Sequence, residues 1–194
     1  MRIWGMTRRG LLVPTLGALA AACSPLGLLN GLGPRDGGVR RAAHNLSYGP
    51  DDRQTLDVWT PLAPSTGPRP VLVFFYGGGW YAGDKDLYGW AAQALAARGF
   101  VVVVPDYRLV PEVHFPAFIE DAAAATAMAG RIAAQYGGDP ARLGVMGHSA
   151  GAHLAMMIAL DRRYMAPVEA PDLIKAAAGL AGPYDFLPLD TPSS

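Results

Sequence analysis

An α/β fold with a mostly parallel sheet and helices on both faces is predicted by three features of the sequence. Short apolar runs alternate with Ala-rich stretches of helical spacing, the pattern of strands joined by crossover helices. The central runs are continuously apolar, as strands buried on both faces are. Glycines stand where the helical stretches should stop, at Gly99 and Gly137.

Thr55–Trp59 alternates and predicts a half-exposed strand. Val71–Phe75 (VLVFF) and Val101–Val104 (VVVV) predict fully buried strands. Leu143–Met146 is a shorter run that ends at Gly147, and Ala176–Leu180 is a weaker strand candidate. Between them, helices are expected over Tyr88–Arg98, Phe118–Tyr136 and Ala150–Leu160. Met128, Met146, Met156 and Met157 read as core filling. The folded domain is expected over residues 39–194, with no internal repeat.

The chain has 194 residues, enough for one domain. Apolar residues make up 51%, and 24 Gly and 17 Pro suit a turn-rich globular fold rather than a disordered chain. Basic and acidic residues balance at 16 each, so no electrostatic footprint for nucleic acid is present. No Cys/His cluster has metal-ligand spacing, and neither metal nor cofactor is expected.

The balance of charge is uneven along the chain. Residues 1–22 carry Arg2, Arg8 and Arg9 without an acid, which leaves 13 basic against 16 acidic residues in the remainder. The apolar run Gly10–Ala22 that follows is too short to span a bilayer as a helix. It fits a secretory signal over residues 1–22. Thr7–Leu12 resembles a twin-arginine export motif. Ala20-Ala21-Ala22-Cys23 resembles a bacterial lipobox, in which the cysteine is acylated and becomes the new N-terminus. A periplasm-facing lipoprotein of the bacterial envelope, anchored by lipid on Cys23, is therefore expected. The alternative is plain secretion, with a cleavage site that falls beside a cysteine. Residues 23–38, rich in Gly, Pro and Leu, read as a tether.

Two motifs carry chemistry. Gly147-His148-Ser149-Ala150-Gly151 matches G-x-S-x-G, with a buried strand before it and a helical pattern directly after. That context is the one a nucleophile elbow requires: a sharp strand-to-helix turn that lifts the serine hydroxyl above the sheet. The helix start adds a potential favourable to developing negative charge. Tyr76-Gly77-Gly78-Gly79-Trp80 follows the VLVFF strand about 70 residues earlier. Consecutive glycines let backbone N–H groups approach a ligand oxygen, as an oxyanion hole needs. A Walker-type phosphate loop would end in Gly-Lys-Ser/Thr, which is absent.

These motifs occur in order with Pro105-Asp106-Tyr107-Arg108-Leu109 and with Phe115-Pro116-Ala117 followed by Asp121. Together they resemble the carboxylesterases of the α/β-hydrolase superfamily related to hormone-sensitive lipase and to bacterial acetyl- and feruloyl-esterase-like lipoproteins. The resemblance covers roughly Thr55–Tyr184. It implies that Ser149 is the nucleophile, that the amides of Gly78, Gly79 and Ala150 hold the oxyanion, and that Trp80 lines the substrate pocket. It further implies hydrolysis of small carboxylic esters through an acyl-enzyme. Asp106 and Asp121 belong to motifs that look structural, with Asp106 and Arg108 expected to brace a loop.

The sequence departs from the family pattern at Tyr76, where the family usually has a bracing His. It also departs after the serine. This fold takes its acid and histidine later in the chain, yet no histidine follows His153 and the chain ends 45 residues after Ser149. The C-terminal strands are thus expected to be missing. His44, His114, His148 and His153 are poor candidates for the base on grounds of reach to the hydroxyl. Two other readings stay open: a truncated or inactive hydrolase-fold lipoprotein with a binding role, and an arylformamidase-like amidase.

Overall fold

The computed structural model describes residues 37–185. The expected signal segment, Cys23 and nearly all of the 23–38 tether lie outside the described residues. Six strands form one sheet: β1 (Val39–Ser47), β2 (Thr55–Pro61), β3 (Arg69–Phe75), β4 (Val101–Pro105), β5 (Gly138–His148) and β6 (Ile174–Leu180). Their order across the sheet is β1-β2-β4-β3-β5-β6. The β4–β3, β3–β5 and β5–β6 pairs are parallel, while β1–β2 and β2–β4 are antiparallel. The mostly parallel α/β sheet expected from the sequence is present, with an antiparallel margin.

Four helices connect the strands: α1 (Gly89–Ala96), α2 (Ala117–Ile132), α3 (Ala150–Leu160) and the short α4 (Arg162–Met165). The chain leaves β3 through α1 and arrives one place to one side, at β4. It then returns through α2, across β3, to β5, and continues the same way through α3 to β6. Right-handed crossovers taken in opposite directions put α1 on one face and α2 with α3 on the other. The core is the sheet interior. Val101, Val102, Val103 and Val104 are each 1% exposed or less, and every such side chain contributes about 2 kcal/mol relative to solvent exposure. On α2, alanines 122, 123, 125, 127 and 129 are all buried. Their small side chains let that helix lie close to both the sheet and its neighbours.

Gly99 and Gly137 end their helical segments with φ of 99° and 75°, the left-handed conformation that glycine adopts without cost. Two strand expectations need correction, and one strand went unforeseen. Thr55–Trp59 is not half-exposed: Leu56, Asp57 and Val58 are all buried, because β1 and β4 flank the strand and Arg41 and His44 cover Asp57. β1 has no apolar alternation, so its nine residues gave no strand signal. β5 runs over 11 residues, well beyond Leu143–Met146, with its polar start at the sheet margin. Along β6, residues 175–180 are exposed.

Candidate active site

Phe75, the last residue of β3, pairs with Gly147 near the end of β5. The segments that follow these strands therefore emerge side by side. They also lead to helices on opposite faces, which opens a crevice at the carboxyl ends of the strands where ligands of open α/β sheets bind. The triple-glycine loop leaves β3 into this crevice, and the G-x-S-x-G turn leaves β5.

Ser149 occupies the single position between β5 and α3, with φ 53° and ψ −120°. For a residue with a Cβ this is a strained conformation, costing about 1–3 kcal/mol. The surroundings hold it there. Its N–H donates to the Leu180 carbonyl at 2.8 Å, and its own carbonyl accepts from Ala152 and His153 in the first turn of α3. Close approach explains the glycines on either side. A Cβ on Gly151 would run into the carbonyls of Phe75 and Tyr76, and one on Gly147 would meet the Gly151 carbonyl. A Cβ on Gly77 would fall 2.9 Å from the Cβ of Ser149 and from the His148 carbonyl. The loop and the turn are thus in van der Waals contact, with the serine half-buried between them.

Beyond Gly77 the loop turns back on itself. The Gly78 carbonyl accepts from the N–H groups of Tyr81 and Ala82 at 3.2 and 3.0 Å. Among the described residues, neither N–H of Gly78 or Gly79 is bonded to another backbone carbonyl. Ala150 opens α3, so its N–H belongs to the helix turn whose donors have no intrahelical acceptor. Trp80 adopts φ 67°. Its carbonyl accepts from Val110 N at 2.9 Å. The ring stacks on Phe118 at 6.2 Å and meets His153 edge-on at 5.4 Å. Phe115 extends this aromatic row from Phe118 at 6.2 Å.

A buried polar frame supports the loop from beneath. Tyr76 is fully buried, with its ring stacked between Tyr107 at 4.8 Å and Tyr88 at 5.9 Å. Its hydroxyl accepts from Arg53 Nη2 at 2.8 Å, and its carbonyl accepts from the Tyr107 hydroxyl at 3.0 Å. Burial pushes both phenols well above their ordinary pKa, so they stay neutral donors and acceptors. A phenol thus does the bracing expected of a histidine at this position.

Asp106 and Arg108 do not pair with each other. Asp106 receives the ammonium of buried Lys85 at 2.7 Å and the Lys85 N–H at 2.8 Å. Arg108 instead reaches α2, where its Nη2 and Nε donate to Asp121 at 2.7 and 2.9 Å. Asp121 also accepts from Gln54 Nε2 at 2.7 Å. Each buried charge needs a partner close by, and elements distant in sequence supply it.

The histidines have other partners. His148 Nδ1 lies 3.0 Å from the Tyr88 hydroxyl. His153 is buried in α3 against Trp80, and burial lowers its pKa. His114 is exposed in the loop before α2. His44 faces Asp57 at 3.0 Å. Together with Asp86 it forms a cluster that sequence spacing did not reveal, with one ligand atom from each within 4.8 Å of the others. Arg41 Nη1 already occupies its centre, 3.0 Å from both carboxylates and 2.9 Å from the imidazole. Among the described residues no helix is long and apolar enough to cross a membrane.

A family model described as BD-FAE matches residues 56–193. Esterase LipC of Mycobacterium tuberculosis is 37% identical over 161 residues, which are 79% of this chain and 40% of LipC. The probable isoprenylcysteine alpha-carbonyl methylesterase ICMEL1 of Arabidopsis thaliana is 35% identical over 157 residues, 78% of this chain and 32% of that protein. Inhibited esterase B from Lactobacillus rhamnosis superposes with a TM-score of 0.71 at 25% identity, over 85% of this chain and 55% of that one. The chain therefore spans well under two thirds of the length of each of these proteins.

Proposed function

The chain belongs to the BD-FAE family of α/β-hydrolase esterases, and from that premise we propose that it carries the nucleophile and oxyanion site of a serine carboxylesterase. The observation that carries this reading is the strained turn at Ser149 with Gly77 packed against it. In the proposed reaction Ser149 Oγ attacks the carbonyl carbon of a small carboxylic ester. The carbonyl oxygen becomes an oxyanion held by the amides of Gly78, Gly79 and Ala150. Collapse expels the alcohol and leaves an acyl group on Ser149, which water then removes. Trp80 lines the substrate side of the crevice. Proton transfer needs a histidine oriented by an acid, and in this fold both follow the serine in the chain. His44, His148 and His153 face Asp57, Tyr88 and Trp80, and none of them is assigned that relay.

The test is turnover of p-nitrophenyl acetate by the full-length protein, with Ser149→Ala as control. Loss of the serine is expected to lower kcat on the order of 10⁶-fold. A fluorophosphonate should label the wild type at Ser149 and leave the variant untouched. Turnover equal in the two proteins would sink the reading. Comparison of ester with aryl formamide turnover assigns the acyl class. Export with lipid on Cys23 is part of the same proposal and is supported by the segment before that residue. Incorporation of labelled palmitate, lost in Cys23→Ala, tests it.

A further inference from the structure

The chemistry proposed above gives no task to Tyr88 or His148. Tyr88 closes a 3₁₀ turn (Lys85–Tyr88) just before α1. Its ring is buried, stacked at 5.9 Å on Tyr76 and at 6.3 Å on Trp90. The hydroxyl lies 3.0 Å from Nδ1 of His148, the residue that immediately precedes the nucleophile. Burial raises the phenol's pKa, so the hydroxyl stays protonated. The two groups share one hydrogen bond, in which the tautomer of His148 sets which of them donates.

Gly77 begins the loop that bears the proposed oxyanion amides, and a Cβ there would fall 2.9 Å from His148 Nδ1. The hydroxyl thus holds a ring that packs against the loop, and the two halves of the site, which reach the crevice from separate strands, meet at that ring. We propose that Tyr88 is a positioning residue, whose hydroxyl fixes the His148 ring against Gly77 and so sets the spacing of the triple-glycine loop against Ser149. The inference rests on the esterase reading. It says that the hydroxyl acts when the oxyanion forms and not when the ester binds.

Removing the hydroxyl leaves the ring stack in place and frees the loop to drift from the serine. Displacement of a catalytic group on the scale of 1 Å costs up to about 100-fold in rate. Steady-state kinetics with p-nitrophenyl acetate on the full-length protein, with Tm alongside, test the idea. Tyr88→Phe should lower kcat about 10- to 100-fold with KM and Tm held. His148→Ala approaches the same link from the elbow. It should show a comparable loss, and the double variant should lose no more than either alone. His148→Asn, which returns a hydrogen-bonding group near the Nδ1 position, should recover part of that loss. An active wild type whose kcat changes less than about twofold in Tyr88→Phe overturns the proposal, as do losses that multiply in the double variant. A loss carried by KM or Tm overturns it as well. If the wild type shows no turnover dependent on Ser149, the esterase reading falls and takes this inference with it. The two failures are therefore distinct.

Discussion

The G-x-S-x-G turn and the polar frame beneath the triple-glycine loop sit on adjacent strands but are built on opposite principles. The turn consists of backbone under strain, with Ser149 at φ 53° and glycines on both sides that leave no room for a methyl group. The frame consists of buried side chains, in which Tyr76, Asp106 and Asp121 are tied to Arg53, Lys85, Gln54 and Arg108. The first spends stability to present a hydroxyl. The second holds the loop still so that the strain is not released by movement. The comparison teaches that the proposed reactivity and the rigidity at this crevice reside in separable groups of residues.

Separability can be broken most forcefully at Asp121. Asp121→Ala leaves Arg108 and Gln54 without their shared acceptor, and loss of one member of a buried pair costs about 3–5 kcal/mol. Urea unfolding should register that loss, while kcat per folded molecule stays near that of the wild type. A large fall in kcat without destabilisation would place the frame inside the reaction. Gly77→Ala sharpens the contrast from the other side. The new Cβ would fall 2.9 Å from the Ser149 Cβ, so loop and serine must part. Loss of an aligned oxyanion donor is worth about 10²- to 10³-fold in kcat, read in the same ester assay, with a smaller change in unfolding free energy.

The smallest expected effect concerns His153. Its pKa in the folded protein is lowered by burial, so below about pH 6.5 the unfolded chain takes up a proton that the folded chain resists. Stability is then full above that pH and declines as the pH falls toward the folded pKa. The Tm of the wild type should drop more between pH 7.5 and 5.5 than that of His153→Gln. Equal slopes would mean that the ring titrates normally.

The strand-to-helix turn at Ser149 and the glycine loop at Gly78 and Gly79 were legible in the sequence because their signal is local. A buried strand, a short glycine motif and a helix pattern stand next to one another, and the backbone has few ways to join them. The VVVV strand was legible because its burial is symmetric. β1 was not, since it joins the sheet through backbone pairing with β2 and carries no apolar face of its own. The partners of Asp106 and Arg108 were misread for a related reason. Proximity in sequence suggested one pair, whereas each side chain found its partner on another element, Lys85 in one case and Asp121 in the other. The cluster of His44, Asp57 and Asp86 and the link between Tyr88 and His148 likewise join residues between 13 and 60 positions apart, beyond the reach of any spacing rule.

The bond from the Ser149 amide to the Leu180 carbonyl makes the proposed nucleophile a sensor of the outermost described strand. β6 is hydrogen-bonded along β5 and exposed over most of its length. Any contact that shifts or steadies that strand pulls directly on the peptide that aims the hydroxyl. The alignment of residue 149 is therefore set as much from the rim of the sheet as from its centre.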